Sequence, residues 1–218
     1  MAEQVRTTAH PKTCFYQFVK WVAKWLFRLI FPVRYAGLEN LPKEAPYLLI
    51  ANHTHMLDPL MVANAVDAFE VTFLGKKELA STPLMKWFYR HLHMIEVDRG
   101  HTDMAAMRAC VATLKTGGVL GIFPEGTRHR GGDMTQLEDG MSLIALRSGV
   151  PLVPAYIAPP VKPFRRISCT FGKVIDTADL RAEGVNAVTC TALNRRITAL
   201  YADMIAQEKQ KRIAPKKM

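Results

Sequence analysis

After Pro32, short apolar runs alternate with stretches of helical periodicity, and this alternation leaves few possible architectures. Six runs have the length and apolar content of buried strands: Tyr47–Ala51, Val71–Gly75, Met94–Val97, Val119–Phe123, Leu152–Ile157 and Ile167–Phe171. The other stretches have helical spacing: Pro59–Val66, Pro83–His91, Asp103–Leu114, Met141–Arg147 and Ala187–Gln207. We therefore predict an α/β fold, with a mostly parallel central sheet flanked by helices and ligand-binding loops at the carboxyl ends of its strands.

The segment Phe15–Phe31 predicts an amphipathic N-terminal helix. Thirteen of its 17 residues are apolar or aromatic, and it holds seven of the 19 aromatic residues of the chain. Its four polar residues fall within about 80° of a helical wheel: Gln17, Lys20, Lys24 and Arg28. Aromatic residues beside a basic stripe are typical of a helix in the lipid headgroup region, so we predict that this helix docks on a membrane. The alternative is a buried helix with one solvated edge.

Charge and hydropathy limit the partners. Lysine and arginine outnumber aspartate and glutamate by 29 to 19, and a formal net charge of +10 favours an anionic partner. We expect an anionic membrane surface and no nucleic acid, because the aromatic residues gather on one apolar helix instead of interleaving with basic residues. The longest stretch without charged residues, 148–161, is too short and too rich in proline to span a bilayer.

The organisation of the chain follows from the same patterns. We assign residues 1–34 to the membrane-associating segment, 35–208 to the α/β domain and 209–218 to a basic tail. The cations of the first segment interrupt any cleavable signal, so we expect peripheral association with the cytoplasmic face of a membrane. Four separated cysteines without a C-x-x-C pair predict neither disulfides nor structural zinc.

A candidate catalytic pair follows the first predicted strand. The sequence ANHTHMLDP puts His53 and Asp58 five residues apart at a strand-to-helix turn. Such a turn lets the carboxylate accept a hydrogen bond from one imidazole nitrogen, which leaves the other to take a proton from a hydroxyl. No G-x-S-x-G motif supplies a nucleophile, so the substrate would attack. The alternatives are an Asp58 N-cap before Pro59 and an ordinary loop histidine.

A metal site is a further alternative at this turn. His53 and His55 followed by Asp58 resemble the H-x-H-x-D-H run of metallohydrolases. The register differs, because the aspartate comes one position late and Pro59 replaces the next histidine. We therefore expect neither a metal nor a bound cofactor.

Two later loops contain groups suited to phosphate. The sequence PEGTR, which ends at Arg128, directly follows a predicted strand, and IEVDRG contains Arg99 after another. Arginine forks and the N–H groups of a glycine turn both donate to phosphate oxygens. Each arginine alone is typical of a solvated surface, but all these groups follow strands and are placed to converge with His53 on one anionic ligand.

Four sequence blocks occur in order between Asn52 and Ile157: NHTHMLD, IEVDRG, FPEGTR and VPLVPAYI. In this ordered set the chain resembles the lysophosphatidate acyltransferases, also called 1-acylglycerol-3-phosphate acyltransferases. The resemblance implies that His53 is the general base and Asp58 its orienting partner. It also implies the residues that bind the acceptor's glycerol phosphate: Arg99, Glu125, Gly126, Thr127 and Arg128. Lys76 in FLGKKEL resembles a recurrent family lysine that would bind phosphate or the oxyanion.

The implied reaction moves a fatty acyl group from an acyl thioester to the sn-2 hydroxyl of 1-acylglycerol 3-phosphate and gives phosphatidate. The thioester would be acyl-coenzyme A or acyl carrier protein. Two departures concern the acceptor head group: His55 replaces the usual serine, and Glu138 and Asp139 stand where many relatives are basic. The alternatives are another acceptor, glycerol 3-phosphate or a different lysolipid, and a non-catalytic lipid-binding protein.

Overall fold

Seven strands form one sheet in the computed structural model, which describes residues 13–98, 103–135 and 137–213. The strands are β1 (Val33–Ala36), β2 (Tyr47–Ala51), β3 (Val71–Lys76), β4 (Ile95–Val97), β5 (Val119–Ile122), β6 (Leu152–Ala158) and β7 (Ile167–Phe171). The α-helices of these ranges are α1 (Cys14–Leu29), α2 (Asp58–Ala65), α3 (Pro83–His91), α4 (Met104–Lys115), α5 (Asp139–Ser148), α6 (Ala178–Ala182) and α7 (Ala187–Ile213). Short 3-10 helices cover Leu38–Asn40 and Lys77–Ala80.

The sheet has the strand order β1-β7-β6-β2-β5-β3-β4, and the five strands from β6 to β4 run parallel. β7 pairs antiparallel with β6, and β1 pairs parallel with β7. The predicted mostly parallel α/β fold is confirmed. The sequence pattern misses β1 and α6, because these elements have only four and five residues and contain no apolar run.

The three central strands β6, β2 and β5 are buried along their whole length. Because side chains alternate along a strand, Leu48 and Ile50 join the core covered by α4, α5 and α7, whereas Tyr47 and Leu49 join the core covered by α1 and α2. The Tyr201 hydroxyl of α7 donates to the Ile50 carbonyl at 2.6 Å. This buried hydrogen bond ties α7 to the carboxyl end of β2, where the candidate site begins.

The helix α1 packs one side against the body and leaves another side open. Tyr16, Ala23 and Phe27 are buried. The large apolar side chains of the open side are exposed: Phe18, Trp21, Val22, Trp25 and Leu29. Within the ranges that the structure describes, no helix combines the length and hydropathy needed to cross a bilayer. Residues 1–12 of the predicted membrane-associating segment lie outside those ranges.

The predicted polar stripe of α1 is divided between protein and solvent. Gln17 donates to the buried Glu70 carboxylate at 3.0 Å, and Lys20 donates to a backbone carbonyl after α2 at 2.6 Å. Lys24 and Arg28 are exposed. Two polar residues therefore attach α1 to the body, and two cations border its open apolar side.

The last helix is longer than predicted, since α7 continues past Gln207 to Ile213. Arg212 donates to two backbone carbonyls at the carboxyl end of β6, which gives this final turn a tertiary contact. The first part of the predicted tail, 209–218, is therefore helical, whereas 214–218 lies outside the described residues.

Candidate active site

The pairing of β2 with β5 brings His53 and Glu125 together. Ile50 pairs with Ile122, and the two site residues each follow three positions later. The His53 N–H donates to Glu125 Oε2 at 2.6 Å. Burial raises the pKa of the Glu125 carboxyl, while this hydrogen bond acts in the opposite direction. Glu125 thus holds the backbone of the His53 loop from the neighbouring strand.

The side chains of His53 and Asp58 are in direct contact. Nδ1 of the imidazole lies 3.0 Å from Asp58 Oδ2, and the aspartate side chain is fully buried. The same oxygen accepts the backbone N–H groups of Thr54 at 2.6 Å and His55 at 2.7 Å. The N-cap interpretation of Asp58 is wrong, because α2 begins at this residue and its carboxylate accepts from residues that precede the helix.

Three residues that the sequence reasoning did not single out support the same loop. Asn52 is buried and exchanges two hydrogen bonds with the Ile157 backbone, at 2.8 and 2.7 Å. The Phe123 ring stacks on the His53 imidazole with 4.4 Å between centroids. The His129 N–H donates to the His53 carbonyl at 2.7 Å. The sequence contained one signal that could have identified Asn52: a polar residue directly after an apolar strand is buried and needs hydrogen-bond partners.

His53 lines a cavity of ≈ 680 Å³ formed by the carboxyl ends of β3, β4 and β5 together with α4 and α5. This volume is typical of a small-molecule site. Several apolar side chains line it: Leu74, Met107, Phe123, Leu137, Met141 and Ile144. Because Nδ1 faces Asp58 and Nε2 makes no hydrogen bond within the described residues, Nε2 is the nitrogen available to a ligand. The arrangement can accept a proton beside an apolar chain.

The loop after β5 contains four of the predicted substrate-binding residues, and the last three are Gly126, Thr127 and Arg128. Gly126 lines the cavity with φ of +66°, and a side chain there would collide with the Glu138 carboxylate. Thr127 Oγ1 lies 3.1 Å from His129 Nε2, outside the cavity lining. Arg128 is exposed and also outside that lining. The turn therefore requires glycine, while the arginine points to an open part of the surface.

The other predicted substrate-binding residues are more scattered. Glu125 is buried behind His53 and is not part of the cavity lining. Lys76 is at the end of β3, with its side chain 45% exposed and its Nζ 3.5 Å from a Glu78 oxygen. Arg99 lies outside the described residues. The structure thus unites His53, Asp58, Glu125 and Gly126, but not Lys76 or Arg128.

The cavity also has an acidic part, formed by residues between β4 and α4 and by residues at the start of α5: Asp98, Asp103, Glu138 and Asp139. Hydrogen bonds from backbone N–H groups lower the pKa of Asp103, and the N–H of Ala106 has the largest effect. No lysine or arginine lines the cavity among the residues that the structure describes. An anionic acceptor would therefore depend on cations that reach in from the rim.

The second histidine of the turn has different surroundings. The Leu57 N–H donates to His55 Nδ1 at 3.2 Å, and the ring lies 5.8 Å from that of Phe31. Residues 13–98, 103–135 and 137–213 contain no group of three or more histidine, cysteine, aspartate or glutamate residues suited to a metal ion. The metal site that the H-x-H spacing offered as an alternative therefore has no ligand cluster at this turn among the described residues.

Known proteins match the part of the chain that contains this site. Residues 32–158 match the Acyltransferase family. The 1-acyl-sn-glycerol-3-phosphate acyltransferase of Bacillus subtilis is 27% identical over 193 residues, which cover 85% of this chain and 96% of that protein. The enzyme of the same name from Pseudomonas aeruginosa is 29% identical over 194 residues, which cover 85% of this chain and 74% of the relative.

A solved structure has the same fold. The crystal structure of the 1-acyl-sn-glycerophosphate (LPA) acyltransferase, PlsC, from Thermotoga maritima superposes with a TM-score of 0.62. The match covers 93% of this chain and 80% of that chain at 22% sequence identity. At this identity the likeness concerns the architecture alone.

Proposed function

The chain belongs to the acyltransferase family, and we propose on this premise that it acylates the sn-2 hydroxyl of 1-acylglycerol 3-phosphate to give phosphatidate. The donor is an acyl thioester of coenzyme A or acyl carrier protein. The proposal rests above all on His53, which lines a largely apolar cavity while its Nδ1 contacts a buried carboxylate at 3.0 Å. The names of the two bacterial relatives support the choice of acceptor.

His53 acts as the general base in this mechanism. Nε2 takes the proton of the acceptor hydroxyl as its oxygen attacks the thioester carbonyl, so a C–O bond forms and the C–S bond then breaks. The imidazolium returns the proton to the departing thiolate. The buried Asp58 carboxylate orients the ring and stabilises its positive charge. A thioester is already activated, so the scheme needs neither a metal nor a bound cofactor, and base catalysis contributes about 10²–10⁴-fold.

The predicted cations hold the phosphate of the acceptor at the rim of the cavity in this scheme. Arg99 and Arg128 follow β4 and β5 in sequence, and Lys76 is the last residue of β3; the carboxyl ends of these three strands lie at the same end of the sheet as His53. Gly126 supplies a backbone turn beside the cavity, and Thr127 precedes the exposed guanidinium of Arg128. Binding through the phosphate holds the acceptor hydroxyl near His53, which adds the entropic advantage of positioning.

The acidic part of the cavity favours one alternative acceptor. Four carboxylates line it, and no cation does so among the described residues. A lysolipid with an ammonium head group would complement this charge, whereas a phosphate monoester needs the rim cations.

Incubation of the purified protein with acyl-coenzyme A and a panel of acceptors, followed by mass analysis of the lipids, tests the function. Phosphatidate as the main product supports the proposal, and acylation of only the ammonium lysolipids contradicts the choice of acceptor.

Arg128 provides a specific prediction for the phosphate. Replacement of this exposed residue by alanine should raise KM for 1-acylglycerol 3-phosphate roughly 10–100-fold, because a charge-assisted hydrogen bond contributes about 1.5–3 kcal/mol. The kcat and the KM of the thioester should change little. Arg130→Ala is the matched control, since Arg130 is also exposed and lies two positions away. Equal KM values for the two variants would remove Arg128 from the proposed phosphate site.

The helix α1 is the proposed route of access to the lipid. Its exposed aromatic side chains are Phe18, Trp21 and Trp25, at 57%, 59% and 45% exposure, and the exposed cations Lys24 and Arg28 lie beside them. Aromatic rings at the headgroup level with cations toward the phosphates are typical of a helix in the membrane interface. We place this docking on the cytoplasmic face, where both kinds of thioester donor are available.

Replacement of Trp21 and Trp25 by serine should weaken binding to anionic vesicles at least about tenfold, since a large buried apolar side chain contributes about 1.5–3 kcal/mol. Both rings are exposed, so the fold should be retained. Val185→Ser with Val188→Ser is the control, because these apolar side chains are exposed near the start of α7. Vesicle sedimentation of the full chain measures the effect, and unchanged binding of the tryptophan variant would refute the docking of α1.

A further inference from the structure

We use the name catalytic cavity for the cavity that His53 lines, in keeping with the proposed function. A second cavity, of ≈ 540 Å³, lies at the β1–β7 side of the sheet, with β6 and β2 between it and the strands of the catalytic cavity. Pro160, which lies two positions after the end of β6, and the last turns of α7 complete its walls. Among the described residues, five cations and one carboxylate line it: Arg34, Arg165, Arg166, Lys211, Arg212 and Glu208. We call this cavity the basic cleft. None of these residues belongs to the proposed catalytic site.

Two of the charged residues in the basic cleft already have structural partners. Arg212 Nε lies 3.3 Å from the Glu208 carboxylate, so these two charges compensate each other. The other guanidinium nitrogens of Arg212 donate to the Pro159 and Ala158 carbonyls, at 2.8 and 3.3 Å. Glu208 also accepts the Ser168 hydroxyl at 3.2 Å. This pair therefore holds the end of α7 on the sheet, and the described residues that line the cleft include no further carboxylate for the remaining cations.

The other four cations carry an uncompensated charge around one concave surface. Arg34, Arg165, Arg166 and Lys211 are exposed, and within the described residues none of their side chains makes a hydrogen bond or an ion pair. Like charges around a cavity repel one another, and a bound anion would remove that repulsion. Guanidinium forks match the oxygens of a phosphate, and a compact lysine ammonium adds a point charge. The chemistry of the cleft therefore fits a phosphate ester.

The rim of the basic cleft joins the open side of α1. The Phe164 N–H donates to the Ile30 carbonyl at the end of α1, and Arg165 and Arg166 of the cleft follow directly in sequence. The Phe164 ring is 78% exposed, and its φ of +57° lies in the left-handed region that a bulky residue rarely adopts. Leu29 in the last turn of α1 is also exposed. An apolar rim beside a basic cleft is the arrangement expected at the surface of an anionic membrane.

We propose that the basic cleft binds the phosphate of an anionic phospholipid head group in the membrane on which α1 lies. The inference rests on the proposed membrane docking, but not on the identity of the acceptor. A head group in the cleft would fix the rotation of the domain about α1, which a single amphipathic helix leaves free. The catalytic cavity would then keep one orientation toward the bilayer.

The test removes three of the uncompensated charges from the full chain, as Arg34→Gln, Arg166→Gln and Lys211→Gln. A matched control removes the same charge from the opposite end of the sheet, as Lys115→Gln, Lys173→Gln and Arg195→Gln, all of which are exposed. Sedimentation is measured with phosphatidylcholine vesicles and with vesicles that also contain phosphatidylglycerol. The cleft variant should lose about tenfold or more of its affinity for the anionic vesicles, whereas the control should stay within about twofold of the parent.

Two further measurements separate the possible outcomes. Acyl transfer in detergent micelles should be the same for the parent and the cleft variant, with unchanged KM for acyl-coenzyme A. Equal vesicle binding by the cleft and control variants would overturn the proposal. A raised KM for acyl-coenzyme A with unchanged vesicle binding would also overturn it, because the cleft would then bind the phosphates of the soluble donor. Selective loss of vesicle binding in a protein without acyltransferase activity would support the cleft and refute the proposed function. The three single substitutions allow the same comparison if the triple variant unfolds.

Discussion

Replacement of His53 by alanine is expected to lower kcat by at least about 10²–10⁴-fold while the protein remains folded. The imidazole lines the cavity, and its only hydrogen bond within the described residues goes to Asp58 at 3.0 Å. Loss of the ring removes the proton acceptor of the proposed reaction. The backbone N–H of residue 53 keeps its hydrogen bond to Glu125, so the loop keeps its attachment to β5.

His55→Ala is the matched control for this prediction. His55 is the same residue type in the same turn, but its ring contacts Phe31 and does not line the catalytic cavity. The His55→Ala variant should have a kcat within about a factor of ten of the parent value, which corresponds to a change of at most about 1.4 kcal/mol in the activation free energy. Rates are measured with 1-acylglycerol 3-phosphate and acyl-coenzyme A, and circular dichroism reports the fold. Turnover of the His53→Ala protein at the parent rate would exclude the general-base role.

Asp58→Asn is expected to produce a comparable loss of kcat, about 10²–10⁴-fold, with a smaller loss of stability. An amide oxygen can still accept the N–H groups of Thr54 and His55, which lie 2.6 and 2.7 Å from the carboxylate. It carries no charge, so it cannot stabilise the His53 imidazolium that forms when the hydroxyl is deprotonated. The variant should therefore fold and bind lipid but transfer the acyl group slowly.

Asp58→Ala separates the structural role of this residue from its chemical role. Alanine removes the acceptor of two backbone N–H groups at a fully buried position, at a cost of about 1–3 kcal/mol for each group left unsatisfied. Denaturant unfolding should therefore show a clear loss of stability for Asp58→Ala and a small one for Asp58→Asn. An asparagine variant with parent kcat would show that the charge of Asp58 takes no part in the reaction.

The candidate catalytic pair is the part of the site that sequence reasoning reached most directly. His53 and Asp58 are separated by five positions within one turn, so their approach depends on local chain geometry alone. Glu125 is different, because its carboxylate meets the His53 backbone only through the register in which Ile50 pairs with Ile122. A sequence motif marked Glu125 as a substrate-binding residue, but it contains no information about that pairing.

The polar stripe of α1 illustrates the same difference. Periodicity predicted the helix and the sector that contains Gln17, Lys20, Lys24 and Arg28. It did not predict that Gln17 would reach the buried Glu70 carboxylate while the last two cations stay exposed. The partners belong to segments more than 40 positions away, as in the hydrogen bond from Lys20 to the carbonyl of residue 66.

The amino-acid sequence alone determined the α/β class, the amphipathic N-terminal helix and the proximity of His53 to Asp58. These features depend on periodicity and on short loop lengths, which act between residues a few positions apart. Only the tertiary structure decided that Asn52 pairs with Ile157, or that Arg34, Arg166 and Lys211 surround one cleft. Strand order and register bring such distant residues together, and they are set by the packing of the whole sheet against its helices.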